Sequence, residues 1–309
     1  MRTKRTTRFI ALSLGFAVLL STAQTPAQAG QSTLRPMAVT KKLLWNMEFN
    51  TKSKAFPSSA VFNYDLGDGS IGGNIGWGNN EQQFYTNKNV RNNGLGQLVI
   101  TAKRIPIENG PTEQYPYFCS AQPNEVCPWI SSRIQSKGKL GFKYGRLEAR
   151  MMLPQGDGTW PAFWMLGANI DQKSWPMSGE IDIIEGSGAD PFLVRGTAHG
   201  PGYSGGEGVT GLTYLKKSIQ TGYHTYAIEW TKNKIQWFVD GKVYHTVTAT
   251  SVKPNAWVFN QEFFIVLNLA IGGWFVGNVV DPTLQQAELK VDWLRFYSVN
   301  GVGQVIKHK

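Results

Sequence analysis

Three carboxylates alternate with three isoleucines in residues 180–185, which read EIDIIE. Alternate side chains of a β-strand share a face, so a regular strand would place Glu180 and Asp182 on one face and Glu185 on the other. Glu185 would then lie among core isoleucines, and burying an unpaired carboxylate costs several kcal/mol. A regular strand therefore conflicts with these residue types.

A single β-bulge at Ile183 and Ile184 removes the conflict. A bulge places two residues opposite one, and it reverses the facing of every residue that follows. Glu180, Asp182 and Glu185 then share one face, with isoleucines behind them. Four strand steps separate the first and last Cα atoms by about 13 Å, so the strand must also curve for the carboxyl groups to meet.

Three acids crowded on one face repel one another, and their pKa values separate so that some groups stay ionised while another holds its proton near neutral pH. Retaining glycoside hydrolysis needs this combination. An ionised carboxylate attacks the anomeric carbon, while a protonated carboxyl group about 5 to 5.5 Å away donates to the leaving oxygen. The stretch therefore predicts a glycosidase site. The alternative is an edge strand with a solvated, charged face.

Tryptophans lie close to these acids in the sequence. Sugar rings have apolar C–H faces that pack against flat aromatic side chains. We therefore predict that Trp164 and Trp175 line a glycan cleft, with Trp160 as a further candidate; the alternative for each is a place in the core. Additional aromatic residues in glycine-rich contexts are Trp77, Tyr85 and Trp274.

Three polar residues are candidates for sugar contact. His199, in GTAHGPGYSGG, is suited to hydrogen-bond a sugar hydroxyl or the nucleophile. Asn80 and Arg150 are candidates for hydrogen bonds to the substrate. The alternative for each of them is an ordinary surface or capping role.

The rest of the chain is a series of short β-like runs, such as QLVITAK, TYAIEW, EFFIVLNLAI and ELKVDWLRFYS. Asp240 and Gly241, flanked by alternating apolar residues, predict a hairpin. Apart from the N-terminal segment, no stretch keeps a helical apolar period over three turns. With 34 glycines and 15 prolines in 309 residues, these runs predict an all-β fold of two packed antiparallel sheets.

The N-terminus has the pattern of a secretory signal. A basic start, MRTKRTTR, precedes the apolar run FIALSLGFAVLL and the small-residue cleavage site at residues 27–29. The run is shorter than the ~20 residues that span a bilayer, so we expect secretion, extracellular or periplasmic. The predicted division is a signal peptide at 1–29, an irregular leader at 30–42, one catalytic domain at 43–299 and a C-terminal tail at 300–309.

The charge pattern argues against nucleic acid as a partner. The chain carries a net charge of +10, and removal of the signal takes away four positive charges and leaves +6. No dense Lys/Arg stripe marks a nucleic-acid groove. We expect a monomer that acts on a polysaccharide, with no membrane contact after signal cleavage.

Two cysteines, Cys119 and Cys127, lie in CSAQPNEVC. In an oxidising compartment such a close pair favours a local disulfide, because no further cysteine or nearby histidine completes a metal site. The four histidines of the chain also lack any close metal-binding spacing, so zinc catalysis is not supported.

The ordered blocks of this sequence resemble glycoside hydrolase family 16, specifically its laminarinase-like branch of endo-β-1,3-glucanases. The matching text spans roughly residues 43–298 and includes WGNNEQQFYT, YGRLEARMMLPQGDGTWPAFWMLG, WPMSGEIDIIE, TAHGPGYSGG, TYAIEWTKNKIQWFVDG and FIVLNLAIGGWFVG. The resemblance implies a β-jelly-roll fold with a concave glycan-binding cleft and a retaining mechanism.

The resemblance also implies individual roles. Glu180 matches the family nucleophile, Asp182 the acid that assists it, and Glu185 the general acid/base. Trp175 and His199 match groups around the cleaved bond. The remaining matches to substrate-contacting positions are Asn80, Arg150, Trp160 and Trp164. Among the loop aromatics, Trp274 is a further candidate for substrate binding.

No cofactor is implied for catalysis, but a structural calcium ion is implied on the face away from the cleft. Glu48 and Asp292 are the candidate ligands, although calcium takes several oxygen ligands and two distant acids are few.

Two other functions stay open at the level of sequence. The same fold and mechanism also serve relatives that cleave galactans such as agar or carrageenan. Relatives that lack the acids bind β-glucan without cleaving it, but here both glutamates are present.

Overall fold

The structure is a computed structural model that describes residues 39–106, 116–120, 122 and 125–308. The predicted signal peptide, residues 1–29, and most of the predicted leader lie outside the described residues. Short 3-10 turns lie at Ser70–Gly72, Ile75–Gly78 and Gly205–Glu207. None of the helices among these residues has the length and apolarity needed to cross a membrane.

Nineteen strands make up the fold in the described residues. They are β1 (Lys41–Glu48), β2 (Asn63–Asp65), β3 (Gln83–Tyr85), β4 (Val90–Asn92), β5 (Leu98–Arg104), β6 (Trp129–Ser131), β7 (Arg133–Gln135), β8 (Leu140–Lys143), β9 (Gly145–Met152), β10 (Thr159–Gly167), β11 (Glu180–Ser187), β12 (Asp190–His199), β13 (Val209–Tyr214), β14 (His224–Thr231), β15 (Lys234–Val239), β16 (Lys242–Thr248), β17 (Phe263–Ile271), β18 (Gln286–Val299) and β19 (Gln304–Lys307).

These strands form a β-jelly-roll sandwich of two sheets, which confirms the predicted all-β fold class. The ten-stranded sheet runs β16-β15-β14-β9-β18-β5-β6-β3, with β1 beside β18 and β4 beside β5. The nine-stranded sheet runs β13-β12-β11-β10-β17-β7-β2, with β8 beside β17 and β19 beside β8. Pairing is antiparallel throughout the described strands except between β3 and β6.

The core lies between the two sheets and follows from the alternation of side chains along each strand. In β5, for example, buried and more exposed residues alternate from Leu98 to Ala102. The central strand β17 is buried along its whole length, as expected of a strand covered on both faces.

Both ends of the described chain belong to the sheets. β1 begins at Lys41, inside the segment that we expected to be an irregular leader, and pairs with β18. The predicted C-terminal tail contains β19, which pairs with β8.

The predicted disulfide between Cys119 and Cys127 is present, with the two Cα atoms 4.9 Å apart. Both cysteines are buried. A backbone bridge between Phe118 and Val126 lies beside the bond, so the disulfide fastens the base of this loop.

The predicted bulge in β11 is confirmed by the pairing of β11 with β10. Glu185 lies opposite Ala162, whereas Asp182 lies opposite Trp164. Three steps of β11 therefore match two steps of β10, which leaves Ile183 as the extra residue. The register of β11 against β12 shifts at the same place.

The bulge sorts the side chains of β11 between the two faces. Ile181, Ile183 and Ile184 are all completely buried in the core. The acids therefore face away from the core, as the sequence predicted.

A contact across the core holds the bulged strand in place. The indole of Trp237, on β15 of the ten-stranded sheet, donates a hydrogen bond of 2.7 Å to the backbone carbonyl of Asp182. Trp237 is completely buried, so water cannot replace this donor. Gly196 makes room for it, because a Cβ at that position would lie 2.4 Å from the Trp237 ring.

We expect Trp237→Phe to destabilise the fold by about 1–3 kcal/mol, because it leaves the buried Asp182 carbonyl without its indole donor. Urea unfolding followed by circular dichroism measures this change. Trp257→Phe is the matched control, since the Trp257 indole donates to the carbonyl of Lys232 at an exposed position. Equal losses in the two variants would contradict the assigned role of Trp237.

Candidate active site

The outward face of β11 lies in a continuous row of side chains across the nine-stranded sheet. Directly paired residues of neighbouring strands share a face. Glu180 pairs with His199 of β12, and Asp182 pairs with Trp164 of β10. Glu185 pairs with Arg195, which the sequence analysis did not single out.

Glu180, Asp182 and His199 form one compact cluster. One side-chain oxygen or nitrogen of each residue lies within 4.8 Å of those of the other two. His199 Nε2 is 3.0 Å from Asp182 Oδ2, and Asp182 is only 2% exposed. Two carboxylates and an imidazole can also ligate a metal ion, but they equally fit a site where protons are exchanged.

Trp175 covers the first acid of this cluster. Its indole Nε1 donates a 2.7 Å hydrogen bond to Glu180 Oε2. The ring is 43% exposed, and its centre lies 6.2 Å from that of His199. Trp175 therefore both orients Glu180 and offers an open aromatic face beside it.

Trp160 has the equivalent relation to the last acid. Its indole Nε1 donates a 3.2 Å hydrogen bond to Glu185 Oε1. Its ring stacks on Phe275, with ring centres 4.7 Å apart, and the guanidinium carbon of Arg195 lies 4.4 Å from the centre of the Phe275 ring. Arg195 thus places a positive charge near Glu185.

Burial and mutual repulsion govern the protonation of the first two acids. Burial raises the pKa of Glu180 well above its ordinary value, and the charge of Asp182 adds to the increase, whereas His199 and Trp175 act in the opposite direction. Burial also raises the pKa of Asp182 well above its ordinary value, and the charge of Glu185 adds to this. Burial and mutual repulsion therefore favour a proton shared by these two neighbouring carboxyl groups.

Glu185 titrates near neutrality. Burial raises its pKa from 4.5 to about 7, and the charge of Glu180 contributes, while His199, the Trp160 indole and Arg195 oppose the increase. A carboxyl group with this pKa can donate a proton at neutral pH and accept one back, as general acid/base catalysis requires.

A buried chain of hydrogen bonds supports Trp164 from beneath. Trp164 Nε1 donates to Asn268 Oδ1 at 2.7 Å, and Asn268 Nδ2 donates to the Tyr85 hydroxyl at 3.1 Å. The Tyr85 hydroxyl in turn donates to Glu81 Oε2 at 3.0 Å. Because each member is buried or half-buried, the chain sets the orientation of the Trp164 ring opposite Asp182.

Arg133 extends this face of the sheet toward β2. Its guanidinium carbon lies 4.8 Å from the centre of the Trp164 ring and 4.7 Å from that of the Trp77 ring. Arg133 Nε also contacts Asp65 Oδ2 at 2.8 Å. The guanidinium group of Arg133 therefore contacts the rings of both Trp77 and Trp164, and Asp65 holds it in place.

Two predicted sugar contacts lie in the loops at the end of β17. Asn80 Nδ2 donates a 3.0 Å hydrogen bond to Asn278 Oδ1. Trp274 is 71% exposed, and its backbone amide donates to the carbonyl of Asn79. The neighbouring Gly273 packs on the Trp160 ring, which places this loop beside the Glu185 end of the row.

Arg150, by contrast, is not grouped with the acids. It lies on β9 of the ten-stranded sheet, where it pairs with Asp292 and its guanidinium carbon lies 4.5 Å from the centre of the Tyr223 ring. The alternation along β9 directs Arg150 to the outer face of that sheet, because its neighbours Ala149 and Met151 fill the core.

The two acids suggested as calcium ligands are each neutralised by an arginine. Glu48 Oε1 accepts a 2.7 Å hydrogen bond from Arg295 Nε, and Asp292 pairs with Arg150. A guanidinium group at hydrogen-bond distance competes with a cation for the same oxygens, so this donor set does not fit a calcium ion.

The sequence contained a signal for one of the residues that were missed. Asn268 is the single polar residue in the strand FFIVLNLAI, and a lone amide in such a strand indicates a specific partner. Arg133 and Arg195 had no comparable signal, because each lies in an ordinary alternating strand.

Comparison with known proteins agrees with this geometry. A family model described as Glycosyl hydrolases family 16 matches residues 77–295. A beta-glucanase of Rhodothermus marinus is 36% identical over 267 residues, which cover 83% of this chain and 85% of that protein. Glucan endo-1,3-beta-glucosidase A1 of Niallia circulans is 35% identical over 85% of this chain, but this region spans only 38% of that longer protein.

A solved structure has the same fold. The catalytic domain of an endo-1,3-beta-glucanase (laminarinase) from Thermotoga petrophila superimposes with a TM-score of 0.76 at 35% sequence identity. The match covers 85% of this chain and all of that domain.

The raised pKa of Glu185 should reduce the stability of the fold at neutral and alkaline pH. A carboxyl group whose folded-state pKa exceeds its unfolded value binds its proton more tightly in the folded state, so stability falls as pH rises from about 4.5 to about 7. Relative to the unaltered protein, we expect Glu185→Gln to increase the free energy of unfolding by about 2 kcal/mol at pH 8 and to change it little at pH 4.

Urea unfolding at pH 4, 6 and 8 measures this difference. Glu207→Gln, at an exposed position, removes the same charge and should have a small effect at every pH. A stabilisation by Glu185→Gln that does not grow with pH would contradict the assigned protonation.

Proposed function

The chain belongs to glycoside hydrolase family 16, and we propose that it is an endo-glycosidase that hydrolyses internal β-1,3 or mixed β-1,3/1,4 glucosidic bonds of laminarin-type glucans with retention of configuration. The names of its relatives support a glucan as substrate. The observation that carries the proposal is the bulge in β11, which presents Glu180, Asp182 and Glu185 on one face.

In the first step, a Glu180 oxygen attacks the anomeric carbon and the glycosidic C–O bond breaks. Glu185 gives its proton to the departing oxygen, and Glu180 becomes covalently bound to the sugar. The pKa of Glu185 near 7 suits this transfer, because a large fraction of the enzyme carries the proton at neutral pH.

Glu180 is the better nucleophile of the neighbouring pair. It is half-buried and accepts a hydrogen bond from the Trp175 indole, which stabilises its ionised form. Asp182 is almost completely buried, and burial disfavours its ionised form, so we assign the shared proton to Asp182 during the attack. As Glu180 loses its charge to the sugar, Asp182 can release this proton to His199, whose Nε2 lies 3.0 Å from Asp182 Oδ2, and Asp182 recovers it when Glu180 is released in the second step.

In the second step, water replaces the leaving sugar. Glu185, now ionised, takes a proton from the water, whose oxygen attacks the anomeric carbon and releases Glu180. Two displacements on opposite faces of the sugar restore the original configuration. The cycle needs no cofactor, because every proton and electron pair is supplied by the two glutamates, the substrate and water.

The row of aromatic residues fits a polysaccharide rather than a small sugar. The open rings of Trp175 and Trp274 lie toward the two ends of the acidic stretch, and both can pack against sugar faces. An internal bond can then be placed over the acids while the chain continues in both directions. This arrangement of aromatic residues supports endo cleavage.

We further propose that the protein is secreted and acts as a monomer. Secretion is supported by the N-terminal sequence pattern and by the disulfide, which is typical of proteins in oxidising compartments.

The substrate proposal is tested with a panel of laminarin, lichenan, agarose and κ-carrageenan. We expect oligosaccharide products from laminarin, from lichenan if mixed linkages are accepted, and none from the two galactans. Cleavage restricted to agarose or κ-carrageenan would replace the glucan assignment by a galactan one. Binding to laminarin without products would indicate a non-catalytic glucan-binding protein.

The roles of the two glutamates are tested with an activated aryl β-laminaribioside as substrate, in the presence of added azide. Glu180→Ala should lower kcat by at least about 10³-fold, and azide should restore turnover with an α-glycosyl azide as product. Glu185→Ala should instead yield the β-glycosyl azide, because the covalent intermediate still forms. The same anomer from both variants would contradict the assignment.

The Trp160 hydrogen bond should set the alkaline limit of activity. Trp160 donates to Glu185 and lowers the pKa of this carboxyl group, so Trp160→Phe should raise this pKa and move the alkaline limb of kcat/KM upward by about 0.5 pH unit. Trp164→Phe is the control, since its indole donates to Asn268 instead. Trp164→Phe should lower kcat/KM without moving the alkaline limb of its pH profile. Equal shifts of this limb in the two variants would contradict the role of Trp160.

A further inference from the structure

A second groove lies on the ten-stranded sheet, opposite the face of the sandwich that carries the acids. It has a volume of about 620 Å³ and is formed by β4, β5, β18 and the loops beside them. Val99 and Thr101 of β5 are part of its floor, and they alternate with the core residues Leu98 and Ile100. The groove therefore occupies the outer face of this sheet.

This groove, which we call the basic groove, is strongly positive. Its lining includes five cations, Lys54, Lys88, Arg91, Lys103 and Lys290. Glu288 is the single acid of the lining, and it pairs with Lys290 at 3.2 Å. Five cations and one acid give the groove a net charge of +4. Among the described residues, no ion pair forms at the other four cations.

The arginines farther along the same face show that unpaired positive charge is not a general property of this sheet. Each of them has a carboxylate partner: Arg146 with Glu148 and Glu229, Arg150 with Asp292, and Arg295 with Glu48. Like charges that are close together destabilise a fold unless something else compensates. The basic groove thus concentrates the repulsion that the rest of the face avoids.

The cations are spread along the groove rather than gathered at one point. Arg91 pairs with Val99, and Val99 pairs with Lys290, so two strand spacings, about 10 Å, separate the backbones of Arg91 and Lys290. Lys103 lies four residues beyond Val99, about 13 Å along β5. An extended ligand with repeated negative charges matches this layout better than a single small anion.

The groove also has polar groups suited to hydroxyls. Asn93 and Gln286 place side-chain amides in its lining.

We propose that the basic groove is a non-catalytic binding site for a polyanionic polysaccharide, one that carries carboxylate or sulfate groups along its chain. Lysines and Arg91 pair with the anionic groups, and the amides bind hydroxyls. Single-stranded nucleic acid is less well matched, because its bases stack on aromatic side chains and the lining residues include none. Because the groove and the acids lie on different sheets, both can be occupied together.

Native gel electrophoresis in gels that contain polygalacturonate or dextran sulfate tests the proposal, with neutral dextran as the blank. We expect the protein to be retarded by one or both polyanions at about 0.02 M salt, and released at about 0.5 M salt, where charges are screened within a few ångströms. The two polymers distinguish carboxylate from sulfate recognition.

The decisive variant combines Lys54→Gln, Lys88→Gln and Lys103→Gln. All three side chains are exposed, so the fold should be retained, and the affinity for the polyanion should fall by about tenfold or more. The matched control combines Lys173→Gln, Lys232→Gln and Lys253→Gln, which removes the same charge at exposed positions elsewhere. Both triple variants should hydrolyse laminarin with unchanged kcat/KM.

Equal retardation of the two triple variants would overturn the proposal, because binding would then depend on net charge alone. Absence of retardation of the unaltered protein by both polyanions would also overturn it. If single-stranded DNA binds as tightly as the polysaccharides and responds equally to the groove variant, the assignment to carbohydrate is wrong. Each of these results is independent of whether Glu180→Ala abolishes hydrolysis.

Discussion

One extra residue in β11 controls the chemistry of this protein. Without the bulge at Ile183, β11 would pair with β10 residue for residue, and Glu185 would face the core among isoleucines. With it, three hydrophobic side chains fill the core and three carboxyl groups share the opposite face. The hydrophobic effect enforces this division, because the same shift buries the isoleucines in the core and keeps the carboxyl groups out of it.

The arrangement has a cost that the surrounding structure offsets. Crowding and burial raise the pKa values of all three acids, which means that their charged forms are disfavoured in the fold. The indoles of Trp175 and Trp160 donate to the two outer acids. The indole of Trp237 fixes the strand backbone from the other sheet. These three contacts allow groups with opposite tasks, a nucleophile and an acid, to stand five residues apart on one strand.

The two outer faces of the sandwich differ in how their charges are balanced. On the nine-stranded sheet, acids of β11 are accompanied by His199 and Arg195, so negative charge is concentrated but locally opposed. On the ten-stranded sheet, most arginines are paired, and an uncompensated positive charge remains in the basic groove. An enzyme built in this way can hold an acidic polymer on one side while it processes a neutral one on the other.

Much of this protein could be predicted from sequence because strand period is a local property. The alternation of EIDIIE was enough to infer the bulge, and the short apolar runs were enough to infer a two-sheet sandwich. The aromatic residues Trp160, Trp164 and Trp175 were placed correctly near the acids, since they lie within about 25 residues of them in the chain.

Contacts between distant segments could not be read in the same way. Arg133 reaches Trp164 from β7, and the chain from Trp164 to Glu81 passes through strands that are far apart in sequence. Arg150 looked like a sugar contact because it lies in a block next to other candidates, yet β9 belongs to the other sheet. The sequence alone determined which faces of each strand are apolar and where one strand must break its period. Only the tertiary structure decided which strands become neighbours, and therefore which charges meet. The pairing of strands depends on packing across the whole core rather than on residues adjacent in the chain.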